Sequence, residues 1–247
     1  MLPRVSILVP MRNEEHYIEK CLRSIFAQEY PDRCLEVWVL DGQSTDESWQ
    51  IVESLFKGRA NCHLLKNPKI AQTAAWNLGI GMATGEIIAI VSAHAELAVD
   101  YVAQAVAALE RTGADMVGGP MRATGNGPVG SAVALATSSR FGVGGARFHY
   151  LKKQEVVDTA YMAVCPRSVY ERIGAFDEEM ICNEDDELSY RLLEKGGLII
   201  CDPAIRSRYL RFRATYSPLP TRSAPDMSER GCARLTVRCS TRSHSAQ

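Results

Sequence analysis

Four short clusters in this 247-residue chain bring together side chains with chemistry to offer. They are Arg12-Asn13-Glu14-Glu15, Asp41-Gly42, Ser92-Ala93-His94-Ala95-Glu96 and Asn183-Glu184-Asp185-Asp186-Glu187. The first three each follow an apolar, β-rich run, so polar groups stand where buried strands stop. Carboxylates and an imidazole so placed can bind a polar ligand, exchange a proton or hold a cation. Asp41 closes the run LEVWVLD, and Gln43-Ser44-Thr45-Asp46 then supplies turn and cap residues for a helix. Alone, that stretch reads as well as an ordinary strand-to-helix turn; its recurrence along the chain is what points to a site. The fourth cluster opens a helix, where one or two acids would suit the positive end of the helix dipole at about 0.3–1 kcal/mol each. Four in a row repel one another, so at least one is kept for chemistry or for a cation.

Alternating strands and helices position these clusters. Strands are expected over 5–10, 35–41, 61–65, 86–91, 115–118, 159–165 and 198–201. Between them, amphipathic or small-residue patterns predict helices from 12 to about 28, over 47–56, 70–84 closed by Gly85, 99–111 and 166–173, and from 183 to Gly196-Gly197. On the first helix Ile18, Cys21, Leu22 and Ile25 share a face; on the last, Leu188, Leu192 and Leu193 are assigned to the core. Strand–helix alternation of this length predicts a parallel sheet with right-handed crossovers. Ligands bind at the carboxyl ends of such strands, so Asn13, Asp41 and His94 should converge on one crevice. The glycine-rich stretch 125–145 follows no strand directly and lacks a GK[ST] sequence, so it is read as a mobile substrate-facing loop rather than a phosphate loop.

The length allows one sizeable core, and a net charge of −1 points to no nucleic-acid partner. Residues 211–247 hold seven arginines against Asp226 and Glu229, lose all periodicity and are rich in Ser, Thr and Pro. A folded domain over 1–210 and a disordered basic tail over 211–247 are therefore expected. Eight cysteines without CxxC spacing read as buried thiols of a reducing compartment. No apolar run reaches the roughly 20 residues that span a bilayer and no signal segment opens the chain, so a cytoplasmic location is expected.

Taken together, the clusters resemble the family-2 glycosyltransferases. VSILVPMRNEE at 5–15, LDGQSTD at 40–46, AAWNLGIGMATGEIIAIVSAHAE at 74–96 and NEDDELSYRL at 183–192 stand in family order. The resemblance implies a GT-A fold, a Rossmann-like, mostly parallel sheet flanked by helices. Within the family, FGVGGARF at 141–148, VDTAYM at 157–162 and IGAFDEE at 173–179 are similar to bacterial succinoglycan-type glucosyltransferases. That similarity implies an inverting transfer of a hexose from a UDP-sugar, with UDP-glucose favoured. The acceptor would be a glycan or lipid-linked sugar in exopolysaccharide or cell-surface polysaccharide synthesis, at the inner face of the plasma membrane. By the same resemblance Pro10, Asn13 and Glu14 flank the nucleoside, Asp41 accepts from the uracil or ribose, and Asn77 and Ser92 belong to the donor site. The family's DxD motif falls on Ser92-Ala93-His94, which makes His94 the expected ligand of Mn²⁺ or Mg²⁺, with Glu96 able to lend a carboxylate. Imidazole suits Mn²⁺ better than Mg²⁺. The family's catalytic ED pair falls on Glu184-Asp185, with Asp185 as the base for the acceptor hydroxyl.

Two departures qualify what the resemblance implies. Ser92 stands where the family has its first acid. After Arg208-Tyr209 the subgroup continues with an aromatic, basic helix and membrane helices, whereas this sequence has no QxxRW; a frameshift near 210–215 and a truncated transferase are the expectation. A truncated or inactive sugar-nucleotide-binding protein is the alternative function. A dinucleotide-dependent oxidoreductase would need GxGxxG after the first strand, where Pro10-Met11-Arg12-Asn13 stands.

Overall fold

A computed structural model describes residues 2–125, 131–132, 135–137, 139, 147–180 and 182–212, within a compact unit of residues 1–214. The second unit, 215–247, and most of the glycine-rich stretch lie outside the described residues, and with them the disordered tail and the mobile loop expected above.

Along the chain run β1 (Val5–Met11), α1 (Ile18–Phe26), β2 (Leu35–Asp41), α2 (Ser48–Phe56), β3 (Cys62–Lys66), α3 (Gln72–Met82), β4 (Ile87–Ile90), β5 (Ala95–Leu97) and α4 (Tyr101–Thr112). There follow β6 (Met116–Gly118), β7 (Ala123–Gly125), β8 (Glu155–Val156), β9 (Val164–Pro166), α5 (Arg167–Ile173), α6 (Glu184–Glu194), β10 (Ile199–Cys201) and β11 (Ser207–Phe212). One eight-stranded sheet has the order β3-β2-β1-β4-β9-β6-β10-β8. β1 is apolar on both faces because parallel neighbours flank it: it pairs with β2 from Val5↔Leu35 to Met11↔Asp41, and with β4 from Val5↔Ile87 to Leu8↔Ile90. Alternate residues then serve opposite faces. Val5, Ile7 and Val9 join a core with α1, α2 and α4, while Leu8 packs with Leu40, Ile88 and residues of α3, α5 and α6.

The sheet is mostly, not wholly, parallel. β9 runs antiparallel to both β4 and β6, and β8 antiparallel to β10. This reversal carries Tyr161, Met162 and Ala163 past the carboxyl end of β4, where the Ile90 N–H donates to the Ala163 carbonyl at 3.0 Å. Gly118 at the end of β6 permits the approach, since a Cβ there would come within 2.6 Å of the Tyr161 carbonyl oxygen.

Several expectations are corrected. The first helix begins at Ile18 rather than at 12, because Asn13 takes φ +54° and the chain turns before it coils. α3 stops at Met82, and Gly85 does not close it; the Arg167 guanidinium does, donating to the carbonyls of Ile80 (3.3 Å), Ala83 and Gly85 (3.0 Å). Gly85 is needed instead for closeness, as a Cβ would meet the Ser6 nitrogen at 2.6 Å. On α6, Leu188 and Leu192 are buried but Leu193 is 36% exposed, turned away by one helical step. α6 does end at Gly196-Gly197: Gly196 has φ +74°, its N–H reaches the Leu193 carbonyl, and that of Gly197 reaches Leu192. A second sheet, β5-β11-β7, was not expected, and β11 runs past residue 210 to Phe212. Cys21, Cys34, Cys165 and Cys201 are buried and free as foreseen, but Cys182 is exposed. Among the described residues no helix is long and apolar enough to cross a membrane.

Candidate active site

Register brings the strand ends to one edge: Met11 lies opposite Asp41, and the Val91 N–H just past β4 donates to the Leu8 carbonyl at 2.9 Å. Two turns lock the edge. Asn13 accepts through Oδ1 from the Thr45 N–H at 2.8 Å while its own N–H donates to Ser44 Oγ at 2.9 Å, and the Glu14 N–H donates to Ser48 Oγ at 2.8 Å. Between β1, β4 and α3 lies a recess of about 220 Å³ walled by Pro10, Arg12, Glu14, Gln72, Ser92 and His94. Arg12 is exposed and makes no hydrogen bond or ion pair with a described residue, so it offers a free positive charge to that recess.

His94 is 15% exposed in its side chain, and its Nδ1 lies 3.0 Å from Glu14 Oε1. A carboxylate only accepts, so in the neutral ring Nδ1 carries the proton and Nε2 keeps the electron pair. This is how metal-ligating imidazoles are oriented. β11 fixes the residue from behind: the Leu210 N–H donates to the His94 carbonyl at 2.9 Å, and the Tyr209 ring meets the imidazole edge-on at 4.8 Å. Glu96 is not available to assist, because it faces Lys20 (3.2 Å) and Arg208 (3.6 Å). Among the described residues no three His, Cys, Asp or Glu gather to hold a metal ion by themselves. The His94 imidazole could serve a cation as one ligand, and imidazole suits Mn²⁺ better than Mg²⁺.

Gln72 and Ser92 also wall a second recess, of about 100 Å³, which Trp76, Tyr161, Glu184 and Asp185 line as well. The two hollows are thus neighbours sharing two residues. At the head of α6 the acids divide their tasks. Glu187 is clamped by Arg191 at 2.6 and 2.8 Å, and Arg191 in turn grips the carbonyls of Ile173 and Ala175. Burial, then the nearby charges of Asp185 and Asp186, push the Glu184 carboxyl up, and Gln72 Nε2 lies 3.4 Å from it. Burial and the Asp185 charge likewise raise Asp186, against a lowering hydrogen bond from Thr159. Asp185 is exposed, and among the described residues its carboxylate accepts only the Asp186 N–H, at 3.0 Å.

Two expected donor-site residues stand apart. Asp41 is 2% exposed and accepts from Ser44 Oγ at 2.5 Å and from the Ser44 N–H at 3.2 Å. It borders a third hollow with Trp49 and Lys66, and neither it nor Asn13 lines the first recess, so of Asn13, Asp41 and His94, expected in one crevice, only His94 lines that recess. Asn77 lines none of these hollows. Its amide is spent on the Phe176 backbone, accepting its N–H and donating to its carbonyl, both at 2.9 Å. Arg12, Gln72, Trp76 and Tyr161 were not singled out from the sequence. Arg12 could have been, as the cation of the first cluster; the other three carry no signal until β9 and α6 are folded against α3.

The chain is similar to known glycosyltransferases. The family model described as glycosyl transferase family 2 matches residues 6–174. The chain is 30% identical over 213 residues to the dolichyl N-acetyl-α-D-glucosaminyl phosphate 3-β-D-2,3-diacetamido-2,3-dideoxy-β-D-glucuronosyltransferase of Methanococcus voltae, covering 83% of this chain and 66% of that one. It is 29% identical over 192 residues to the succinoglycan biosynthesis protein ExoA of Rhizobium meliloti, covering 77% and 58%. Among solved structures, the mannosyltransferase PcManGT of Pyrobaculum calidifontis, in complex with GDP-Man and Mn²⁺, superposes with a TM-score of 0.68 at 25% identity, over 87% of this chain and 59% of that one. The chain thus spans about three fifths to two thirds of the length of these proteins.

Proposed function

The chain belongs to glycosyl transferase family 2, and from that premise we propose that it is an inverting hexosyltransferase. It takes its sugar from a UDP-sugar, UDP-glucose first, and passes it to a glycan or lipid-linked acceptor in exopolysaccharide or cell-surface polysaccharide synthesis. The observation that carries the reading is the pair of recesses that share Gln72 and Ser92 in their walls, one lined also by Arg12 and His94 and the other by Glu184 and Asp185. The similarity to the succinoglycan biosynthesis protein ExoA supports the exopolysaccharide context.

In this reading Pro10, Asn13 and Glu14 frame the nucleotide, and Asp41 accepts from the uracil or ribose. A carboxylate has about four lone-pair sites, so its bonds to Ser44 leave capacity for a ligand. Arg12 and His94 face the diphosphate, whose charge grows as the sugar leaves. A divalent cation, when bound beside His94 and Ser92, supplies further neutralisation of that charge. On the other side, Asp185 removes the proton from the acceptor hydroxyl, and the oxygen attacks the anomeric carbon opposite the departing diphosphate, which inverts that centre. Glu184 positions the helix head against Gln72. A lipid-linked acceptor would bring the chain to a membrane surface.

One observation favours a second reading, a sugar-nucleotide-binding protein without turnover: Ser92 occupies the place of the family's first acid. Release of UDP from UDP-glucose, UDP-galactose, UDP-N-acetylglucosamine and GDP-mannose is the test, with and without Mn²⁺ and with acceptor extract. Turnover of any UDP-sugar supports the transferase; binding without turnover under every condition supports the second reading.

A further inference from the structure

The recess lined by Asp185 and Ser92 also has a buried indole in its wall. Trp76 is 6% exposed, yet its indole N–H is buried with no acceptor among the described residues. Its ring is held: Phe176 packs against it at 4.6 Å and 36°, and Asn77, the next residue of α3, grips both polar atoms of the Phe176 backbone. The Tyr161 hydroxyl, also buried, lines the same recess beside Ser92 without a good hydrogen bond to a described residue. Buried donors are normally paired, and an exception among residues that line a recess of about 100 Å³, room enough for several waters, points to a polar ligand. Aromatic walls with a few fixed donors also suit a sugar, whose ring has apolar C–H faces and a polar rim.

Resting on the sugar-nucleotide reading above, we propose that Trp76 and Tyr161 read the transferred sugar, both donating to its hydroxyl or acyl oxygens from the wall of the second recess. The nucleotide is gripped in the first recess, so these two side chains govern which hexose is accepted and not whether UDP binds. A site built to hydrogen-bond a substrate group discriminates sharply against an analogue lacking it, because its buried donors are then left unpaired. Asn77 enters this scheme as a positioning residue that holds Phe176 and, through it, the indole.

The test is calorimetric binding to the full chain of UDP and of UDP-glucose, UDP-galactose and UDP-N-acetylglucosamine, for the native protein, Trp76→Phe and Tyr161→Phe. Phe keeps an aromatic wall and removes only the donor. The native protein should favour one UDP-sugar over UDP. Each variant should bind UDP within about twofold of native but the preferred UDP-sugar about tenfold more weakly, flattening the panel. A change in tryptophan emission produced by UDP-sugar but not by UDP should disappear in Trp76→Phe. Retention of the native preference by both variants overturns the proposal, as does equal loss of UDP and UDP-sugar, which marks a merely structural role. If Trp76→Phe does not fold, Tyr161→Phe carries the same ratio. A native protein that binds UDP and gains nothing from any sugar overturns this inference alone, whereas one that binds no nucleotide overturns the functional reading with it.

Discussion

Glu14 and His94, 80 residues apart in the chain, meet at 3.0 Å through Oε1 and Nδ1. The contact converts two strand ends into one device, since the carboxylate decides which imidazole nitrogen is left to face a ligand. Removing such an orienting partner typically weakens metal affinity 10–100-fold. Glu14→Gln should therefore weaken Mn²⁺ binding in the presence of UDP by about that factor, and His94→Ala by more, measured by the electron paramagnetic resonance of free Mn²⁺. Unchanged binding in both variants would mean that the ring meets the diphosphate without a cation.

Asp185 differs from its three acidic neighbours in having no side-chain partner among the described residues. Asp185→Asn should cut transfer by about 10²–10⁴-fold while leaving donor affinity near native. At the helix head the repulsion relieved and the dipole interaction lost oppose each other, so the melting temperature should move little. Thermal melting and UDP-sugar titration check the two expectations; a donor affinity that falls as far as the rate would remove Asp185 from the role of base.

Strand ends and helix faces were legible because the periodicity of buried residues is local. β1, β2 and β4 lie within a residue or two of where their apolar runs place them, and Ile18, Cys21, Leu22 and Ile25 are all buried. What could not be read locally is what depends on strands meeting. β9 is three residues long, and nothing in Val164–Pro166 declares that it runs backwards between β4 and β6. That reversal alone delivers Tyr161 to the site. The alternation in Ser207–Phe212 was masked by arginines, so the strand that fixes His94 from behind went unseen. Asp41 was correctly placed at its strand end, but its side-chain direction depends on Ser44, three residues on, which takes it across the turn.

The Asp41–Ser44 bond yields a separable prediction. Asp41→Ala should lower UDP affinity by about 10–100-fold, the loss of a hydrogen bond to a charged group, and should also loosen the turn. Ser44→Ala removes only the turn contact. Calorimetry of both variants with UDP distinguishes them: equal losses would assign Asp41 to the turn alone, and a much larger loss for Asp41→Ala would assign it to the nucleotide.

At the opposite end of the strands, Glu36 couples folding to pH. Its side chain is buried, and it accepts from Ser6 Oγ at 2.5 Å and from the Thr84 N–H and hydroxyl at 2.8 and 3.1 Å, tying β2 to β1 and to the end of α3. Burial by itself would raise the carboxyl, but these hydrogen bonds to the ionised form outweigh it and hold it below the ordinary value of 4.5. A group lowered in the folded state binds fewer protons there than in the unfolded chain. Its contribution is therefore complete above about pH 4.5 and is lost as pH falls through the folded-state value. Glu36→Gln should remove about 1.5–3 kcal/mol at neutral pH and flatten the acid side of the stability profile. Urea melts of native and variant between pH 3 and pH 7 test this, at roughly half-unit steps across the window where the linkage acts. Parallel profiles with a constant gap would show that Glu36 acts by shape and not by charge.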